Sequence, residues 1–507
     1  MSAPFCSGGV DGNKQCIDGW SVYSNKKEVA ALRKKGQKLA AIMMSLAMTA
    51  GMTACGGDDN AEAGKNTGNT PKPTQAAGTT DDGSSIPEPT EVPEKYKDLG
   101  GLEIVIGDWW SGEEGEPTNA QEEATRQYRK EIQEKYNFTI KQTSIGGWGE
   151  HQENFVVSTM ANAPMASLFM MDQGFIAKPL SNNLFYDLAT LDSFDFTESK
   201  WNEAILEQMS DGNHVYGMAT GRPEWRQGVF WNKRLFEEAG LDPDLPYDLQ
   251  ASGEWTWAKF EELCQKLTRD TNSDGIPDTY ALASFSIDMF KVLVASNNAE
   301  FIGRDENGKY YNATGTPEFL AAMQFGVKLI ENKYEMPAPE NAEWDWFIPA
   351  FHDAKVAMTF AEEFKVGQWK DMDDDFGFVM CPAGPSGQST TIFADNVVVM
   401  PVCMDAETAN KIAFAYNLYT NPTPGYEDDD DWKTRVYDNF RDERAVDETL
   451  TMMYEEGRGV VWYLPMVYGA NYGDIIYNVY GLHNTPAEKI EEVANSWQML
   501  IEDANMK

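Results

Sequence analysis

Aromatic and hydrogen-bonding side chains directly follow two apolar segments of the sequence, one beginning at Leu102 and one ending at Met171. The side chains at these positions are Asp108, Trp109, Trp110, Asp172 and Gln173. A further tryptophan, Trp148, lies in a glycine-rich stretch. Flat indole rings stack on the apolar faces of sugar rings, while carboxylates and amides hydrogen-bond the hydroxyl edges. The pattern therefore predicts carbohydrate binding, with packing of the tryptophans in a core as the alternative.

A second set of oxygen-bearing side chains lies between residues 270 and 278. Oxygen ligands alternate along this segment, and Gly275 allows the sharp turn that a calcium-binding loop requires. The predicted ligands are Asp270, Asn272, Asp274, the main-chain carbonyl of Ile276, and Asp278. The spacing resembles an EF-hand loop up to its ninth position, but Ala281 stands where the bidentate glutamate is usual. A structural Ca²⁺ is predicted, with an acidic surface turn as the alternative.

The start of the chain has the pattern of an export signal followed by a cysteine. A basic run from Arg33 to Lys38 precedes an uncharged apolar stretch, Leu39 to Ala54, which is too short for a comfortable membrane span. The residues before Cys55 resemble the lipobox of bacterial lipoproteins, which implies cleavage there and a lipid on the Cys55 thiol. An ordinary secretory signal is the alternative. We therefore predict an N-terminal extension and lipoprotein signal peptide over residues 1–54.

The lipidated cysteine and a flexible linker are predicted over residues 55–98. This stretch is rich in Gly, Thr, Pro, Ser and Asn and has too few apolar residues to bury a core. Lipid on Cys55 would hold the protein outside the cytoplasm, anchored to the bacterial cell membrane, with the linker as a tether.

The composition excludes one class of partner. The chain has 507 residues and a net charge of −40, from 81 acidic and 41 basic residues. Such a surface repels the phosphates of nucleic acids, so nucleic acid is not expected as a partner. In the folded part, Cys264, Cys381 and Cys403 are an odd and sparse set without the paired spacing of a zinc site. Buried free thiols are predicted, with one disulfide and a leftover thiol as the alternative.

The elements that would position these residues alternate in type. A strand from Leu102, a helix over 119–136 and a second strand over 137–141 precede a third strand over 165–171. This order is typical of a parallel α/β sheet, in which ligands bind beyond the carboxyl ends of the strands. The length of the chain exceeds one ordinary core, so two lobes are expected.

Several short sequence segments in the middle of the chain carry recognisable motifs. They are Tyr216-Gly217, Asn232 to Gly240, Thr256 to Phe260, Ala354 to Met358 and Phe376 to Pro385. In order and spacing they resemble the family 1 extracellular solute-binding proteins, the sugar-type receptors of ABC importers. The segment Asn232 to Gly240 is similar to the family pattern Tyr-Asn-Lys-x-Leu-Phe-x-x-Ala-Gly, with Trp231 in place of the tyrosine.

The resemblance implies an α/β, two-lobed, periplasmic-binding-protein-like type II fold. Each lobe would be an α/β sandwich, and a multi-segment hinge would join them. The solute-binding domain would span 99–507, with lobe 1 at about 99–222 and 395–450 and lobe 2 at about 226–390 and 455–507. A monomer of this kind would capture a carbohydrate, expected to be an oligosaccharide, in the interlobe cleft and deliver it to the membrane subunits of an ABC permease.

The resemblance also assigns ligand contacts by position. The residues so assigned are Glu362, Glu363, Asp395, Asn396, Tyr468 and Tyr472. Some oligosaccharide-binding members of the family carry a comparable calcium loop, which supports the Ca²⁺ prediction at Asp270 to Asp278. No catalytic residue and no organic cofactor is implied.

Two other functions remain open at this point. A lipoprotein glycoside hydrolase would need two carboxylates that flank a sugar, but with 81 acidic residues candidate pairs discriminate nothing. The same binding scaffold could instead take a peptide, a polyamine or a sugar acid. A receptor without enzymatic activity explains the predicted anchor, tether, lobes and aromatic residues together.

Overall fold

The computed structural model describes residues 92–112, 115–117, 119–393, 395–427, 432–437 and 439–506. The predicted signal peptide, Cys55 and the linker up to residue 91 lie outside the described residues. The strands are Leu102–Asp108 (β1), Phe138–Ser144 (β2), Leu168–Met171 (β3), Ser210–Asp211 (β4), His214–Val215 (β5), Gln227–Asn232 (β6), Tyr280–Leu282 (β7), Ile302–Arg304 (β8), Tyr310–Asn312 (β9), Val356–Glu362 (β10), Phe376–Met380 (β11), Thr391–Ile392 (β12), Val397–Val399 (β13) and Gly459–Val460 (β14).

The α-helices are Ala120–Tyr136 (α1), Trp148–Met160 (α2), Ala177–Ser181 (α3), Glu203–Met209 (α4), Lys233–Glu238 (α5), Leu245–Ser252 (α6), Trp257–Leu267 (α7), Ser286–Ser296 (α8), Pro317–Glu331 (α9), Phe347–His352 (α10), Ala406–Tyr419 (α11), Trp432–Tyr437 (α12), Thr451–Met453 (α13), Gly473–Tyr480 (α14) and Pro486–Asn505 (α15). The shorter helical turns are Glu94–Tyr96, Gln173–Phe175, Leu188–Thr190, Glu363–Trp369 and Leu464–Met466, with a π-helical turn at Ala445–Leu450. Within the described ranges, none of the helices combines the length and apolar character that crossing a bilayer requires.

The first lobe is built on a sheet with the strand order β13-β3-β1-β2. Strand β1 is parallel to β2 and β3, and β13 is antiparallel to β3. Because side chains alternate along a strand, Leu168 and Val398 enter one core, while Phe169 and Val399 enter another on the opposite face. Helices α1 and α11 cover the first face, and α2 and α4 cover the second. The lobe is therefore an α/β sandwich.

The second lobe is built on a sheet with the order β11-β6-β10-β7. Strand β6 is antiparallel to both neighbours, and β7 is parallel to β10. All residues of β6 are buried, as expected for a strand with both faces covered. Trp231 and Trp255 are buried, and their indole N–H groups donate to the carbonyls of Pro243 (2.8 Å) and Met380 (2.7 Å). These tryptophans therefore pack the core of the lobe.

Capping side chains start two helices in the blocks that carry the family resemblance. The side chains of Asn232 and Thr256 each accept a hydrogen bond from the backbone amide three residues further along. Each cap satisfies one of the helix's free N–H groups. Helices α5 and α7 therefore begin directly after these capping residues.

The folded body begins earlier than residue 99. Tyr96 and Leu99 are buried in the first lobe, and the Tyr96 ring stacks on Phe414 with 4.6 Å between centroids. The predicted linker therefore loses its last residues, from Val92, to the fold. Tyr96, the aromatic residue near the end of the polar stretch, packs into the core of the first lobe.

The boundary between the lobes also differs from the expectation. Residues up to about 450 were assigned to lobe 1, but Ala445, Val446, Leu450 and Met453 lie in the core of the second lobe. The hydroxyl of Thr449 donates to the carbonyl of Phe378 in β11 (2.7 Å). The apolar face of this segment is buried against the second sheet, so the segment belongs to the second lobe.

Segments that pass between the lobes are paired with one another. Strand β12 is parallel to β14, and Trp225 forms an antiparallel bridge with Phe393. Residues Val461 and Met466 reach the core of the first lobe, whereas Trp462 and Leu464 lie in that of the second. These segments form the connection between the two sheets.

The described cysteines are free thiols, as predicted. Cys264 and Cys381 are buried, and Cys403 is partly buried. Burial raises the pKa of the Cys381 thiol well above its ordinary value, so this thiol stays protonated.

Candidate ligand-binding cleft

A cavity with a volume of about 480 Å³ lies between the two lobes. The first lobe contributes Gln152 from α2 and the turn that follows β3. The second lobe contributes Lys291 from α8 and Glu362 from the end of β10. Phe393 and Asp395 and residues 464–472 of the connecting segments complete the walls. The carboxyl ends of β3 and β10 thus face the same space.

Half of the predicted ligand contacts line this cavity. They are Asp172, Gln173, Glu362, Asp395, Tyr468 and Tyr472. Among the described residues, the Gln173 side-chain nitrogen and the Tyr472 hydroxyl are buried without a hydrogen-bond partner. A buried polar group without a partner costs free energy, so these groups favour a ligand that supplies one. Two residues that line the cavity from opposite walls therefore carry polar groups without a partner.

Asp108 has a different role from the predicted one. Its carboxylate is fully buried and accepts hydrogen bonds from the amides of Trp110 (3.1 Å) and Ser111 (2.9 Å) and from the Gln142 side chain (2.7 Å). The Ser111 hydroxyl donates to it as well. Asp108 therefore orders the loop after β1 and does not line the cavity.

The three predicted tryptophans of the first lobe divide into two groups. Trp109 is partly buried and packs edge-on against His151 (5.1 Å) and Phe175 (5.8 Å). Trp110 and Trp148 are about half exposed, at 48% and 56%. Trp148 lies one helical turn before Gln152, on the side of α2 that borders the cavity. Trp109 is a packing residue, and neither Trp110 nor Trp148 lines the cavity, although the Trp148 ring is exposed one helical turn away from it.

Glu363 and Asp395 belong to a charged cluster beside the connecting segments. The Arg226 guanidinium forms ion pairs with Glu224 and Glu363 and lies 3.9 Å from Asp395. Asp395 also accepts hydrogen bonds from the Asn202 side chain (2.8 Å) and the Glu224 amide (2.9 Å). Burial raises the pKa of Asp395 to about 6. Glu363 is thus paired with Arg226 and does not line the cavity. Asn396, which follows Asp395 in the chain, does not line the cavity either.

Charged residues of α8 were not predicted. Lys291 lines the cavity, with its ammonium 4.0 Å from the Asp288 carboxylate and 5.1 Å from the centre of the Tyr472 ring. Burial and the nearby charge of Glu362 raise the pKa of Asp288 to about 7. Burial also raises the pKa of Asp172. In the sequence, the only sign of this role is the pair Asp288 and Lys291, three residues apart in an otherwise apolar helix. An apolar helix is more often interpreted as part of the core.

The predicted calcium loop is exposed and closed by its own hydrogen bonds. Asp270 accepts the amides of Ser273 (2.6 Å) and Gly275 (2.8 Å), and Asp278 accepts the amide of Thr271 (2.7 Å). Within the described part of the chain, no three His, Cys, Asp or Glu side chains are gathered to hold a metal ion. The calcium site therefore stays a prediction, in which Asp270, Asn272, Asp274, Asp278 and the Ile276 carbonyl would supply the oxygens.

Calcium is expected to raise the melting temperature of the protein relative to the same protein in EGTA. A ligand present at a hundredfold excess over its Kd adds about 2.7 kcal/mol to the free energy of unfolding. Asp270→Ala, which removes the first oxygen ligand of the loop, should abolish the calcium-dependent increase, whereas Asp305→Ala, at another exposed acidic turn, should retain it. Equal melting curves of the unaltered protein with calcium and with EGTA would reduce the loop to a surface turn.

Comparison with known proteins connects the cleft to a family. Residues 127–428, more than half of the chain, match the family model described as bacterial extracellular solute-binding protein. The chain belongs to this family. The resemblance seen in the blocks from Tyr216 to Pro385 is thereby confirmed, and the fold class with it. No curated protein sequence matches the chain significantly.

Solved structures of sugar-binding proteins share the fold. The cyclic alpha-maltosyl-1,6-maltose binding protein from Arthrobacter globiformis is 15% identical over 80% of this chain and 100% of its own, with a TM-score of 0.59. The GacH receptor of Streptomyces glaucescens GLA.O, solved unliganded and with acarbose, is 16% identical over 80% and 99%, with a TM-score of 0.54. The substrate-binding protein Lmo0181 from Listeria monocytogenes, in complex with cycloalternan, is 15% identical over 80% and 98%, with a TM-score of 0.53. At such low identity, this likeness is evidence of a common fold.

Proposed function

We propose that this solute-binding protein captures a carbohydrate, in particular an oligosaccharide, in the interlobe cleft. The observation that carries the proposal is the set of polar side chains that line the cavity, with Asp172 and Gln173 on one lobe and Glu362 and Tyr472 at the other wall. Of these, the Gln173 nitrogen and the Tyr472 hydroxyl have no hydrogen-bond partner among the described residues. A sugar hydroxyl both donates and accepts, so it can satisfy a carboxylate and an amide side by side.

The aromatic residues support a sugar as the ligand. Tyr468 lines the cavity and is 49% exposed, and Trp148, 56% exposed, lies one helical turn before the cavity residue Gln152. Exposed rings at the edge of a polar cavity suit the apolar faces of pyranose rings. Three structures of this fold were solved as receptors for, or in complex with, cyclic alpha-maltosyl-1,6-maltose, acarbose and cycloalternan.

Delivery to a membrane permease completes the proposed role. The protein acts outside the cytoplasm as a lipid-anchored monomer, with the lipid on Cys55 and the linker as its tether. Closure of the two lobes around the sugar presents one shape of the protein to the membrane subunits of an ABC importer. The anchor rests on the sequence pattern around Cys55.

A calorimetric screen tests the proposal. The chain from residue 55 onward, with Cys55→Ser, is titrated with mono- and oligosaccharides, and its melting temperature is measured with each. At least one oligosaccharide should release binding heat and raise the melting temperature, and chromatography should recover that sugar unchanged. Shorter products would favour a glycoside hydrolase. Peptides, polyamines and sugar acids are included, and a response to one of these alone would contradict the carbohydrate proposal.

A further inference from the structure

A second cavity, with a volume of about 310 Å³, also lies between the two lobes. Phe185, Met209 and Val402 of the first lobe line it, with Leu500 of the second. Tyr468 lines both this cavity and the cleft described above. The two spaces therefore adjoin at one half-exposed tyrosine.

The walls of the second cavity are held together by a side chain that crosses between the lobes. The Arg304 guanidinium, from β8, donates to the carbonyls of Glu207 (2.9 Å) and Ser210 (2.8 Å) at the end of α4. The Cζ atom of Arg304 lies 5.9 Å from the centre of the Tyr310 ring and 5.8 Å from the centre of the Tyr463 ring. A cation is favoured at the C-terminal end of a helix. Arg304 thus connects the two walls of the cavity in this conformation.

A buried acceptor in the second cavity has no partner. Gln208 is 1% exposed, and its side-chain nitrogen donates to the carbonyl of Trp462 (2.7 Å). Its side-chain oxygen, Oε1, is buried without a hydrogen-bond partner among the described residues. An unsatisfied buried oxygen costs free energy, which a hydroxyl donor from a ligand would recover. Gln208, which lines the second cavity, therefore carries an oxygen without a partner, as the cleft residue Gln173 carries a nitrogen without one.

We propose that the ligand site continues past Tyr468 into the second cavity, so that the bound oligosaccharide places sugar units on both sides of this ring. The inference rests on the proposed function. The apolar side chains of Met209, Val402 and Leu500 would cover the apolar faces of the distal unit, and the Gln208 oxygen would accept one of its hydroxyls. Affinity then increases with chain length until the second cavity is filled.

Filling the second cavity tests the proposal. Val402 is 44% exposed, so Val402→Trp is tolerated by the fold while its indole occupies the cavity. Ala504→Phe fills the same space from the second lobe. Val157→Trp, on an exposed face of α2 outside both cavities, is the matched control. Malto- and mannooligosaccharides of two to six units are titrated by calorimetry into each variant after its melting temperature is checked.

The expected result depends on the length of the sugar. Both cavity variants should bind the shortest ligand as the unaltered protein does, within about twofold, and should lose about tenfold or more for the longest. The control should keep the full length dependence. An unchanged length dependence in both cavity variants, or an equal loss at every length, would overturn the extension while leaving the cleft assignment intact. If the unaltered protein binds neither series, the extension is overturned, and the wider calorimetric screen decides the proposed function.

Discussion

Replacing Glu335 by glutamine should raise the melting temperature at pH 8.5 by several degrees and change it little at pH 5. The Glu335 carboxyl is buried in the second lobe, and one oxygen accepts the Ser284 amide (3.0 Å). The other oxygen is buried, and the Tyr480 hydroxyl lies beside the carboxyl. Burial raises the pKa of Glu335 to about 8 from its ordinary 4.5. Glutamine keeps the acceptor for Ser284 and removes the titration.

The direction follows from the protons bound in each state. Below pH 4.5 the carboxyl is protonated in both the folded and the unfolded chain. Between pH 4.5 and about 8 the unfolded chain releases this proton while the folded chain keeps it, so the stability of the fold decreases as the pH rises. Each pH unit in this window is worth about 1.4 kcal/mol. Since relaxation around the charge reduces the full value, a gain on the order of 2 to 4 kcal/mol is expected in alkaline solution.

The measurement is a series of denaturation curves from pH 4 to pH 9. Glu331→Gln, at an exposed position on α9, is the control and should follow the unaltered protein at every pH. A difference between Glu335→Gln and the unaltered protein that is the same at all pH values would show that burial does not hold the proton on Glu335.

The second large effect is expected on ligand affinity, for the carbohydrate found in the calorimetric screen. Asp172→Asn and Glu362→Gln should each weaken binding by about tenfold to a hundredfold. Both side chains line the cleft, one from each lobe. A hydrogen bond to a charged group contributes about 1.5 to 3 kcal/mol, and 1.4 kcal/mol corresponds to a factor of ten in Kd. Calorimetric titration measures the change.

Controls separate this effect from general damage to the fold. Glu306→Gln, on an exposed turn of the second lobe, removes the same charge away from the cleft and should leave Kd unchanged. The melting temperatures of the cleft variants should stay close to that of the unaltered protein. If both cleft variants keep the original Kd, the ligand does not contact these carboxylates and the proposed site is misplaced.

The parts of the fold that could be predicted were those with local rules. The buried run up to Met171 is a strand, and Asp172 and Gln173 lie in the cleft because the carboxyl ends of strands face it. Asn232 and Thr256 cap helices as their types suggest. Such features depend on neighbours in the chain, so they can be read without a structure.

Features that depend on distant neighbours were missed. Asp108 ends strand β1 and Asp172 directly follows β3, but the Asp108 carboxylate accepts hydrogen bonds from Gln142 of β2 and from its own loop. Lys291 lies on an apolar helix, and only the approach of the connecting segment with Tyr472 places it in the cleft. These assignments require knowledge of which side chains meet across the lobes.

The position of Arg304 has a consequence for how the protein unfolds. The last carbonyls of an isolated helix lack donors, and here α4 of the first lobe receives them from an arginine of the second. If the second lobe unfolded first, Glu207 and Ser210 would lose these bonds and α4 would fray. The free energies of local opening in the two lobes are thereby linked. The lobes should therefore melt together, in one cooperative transition.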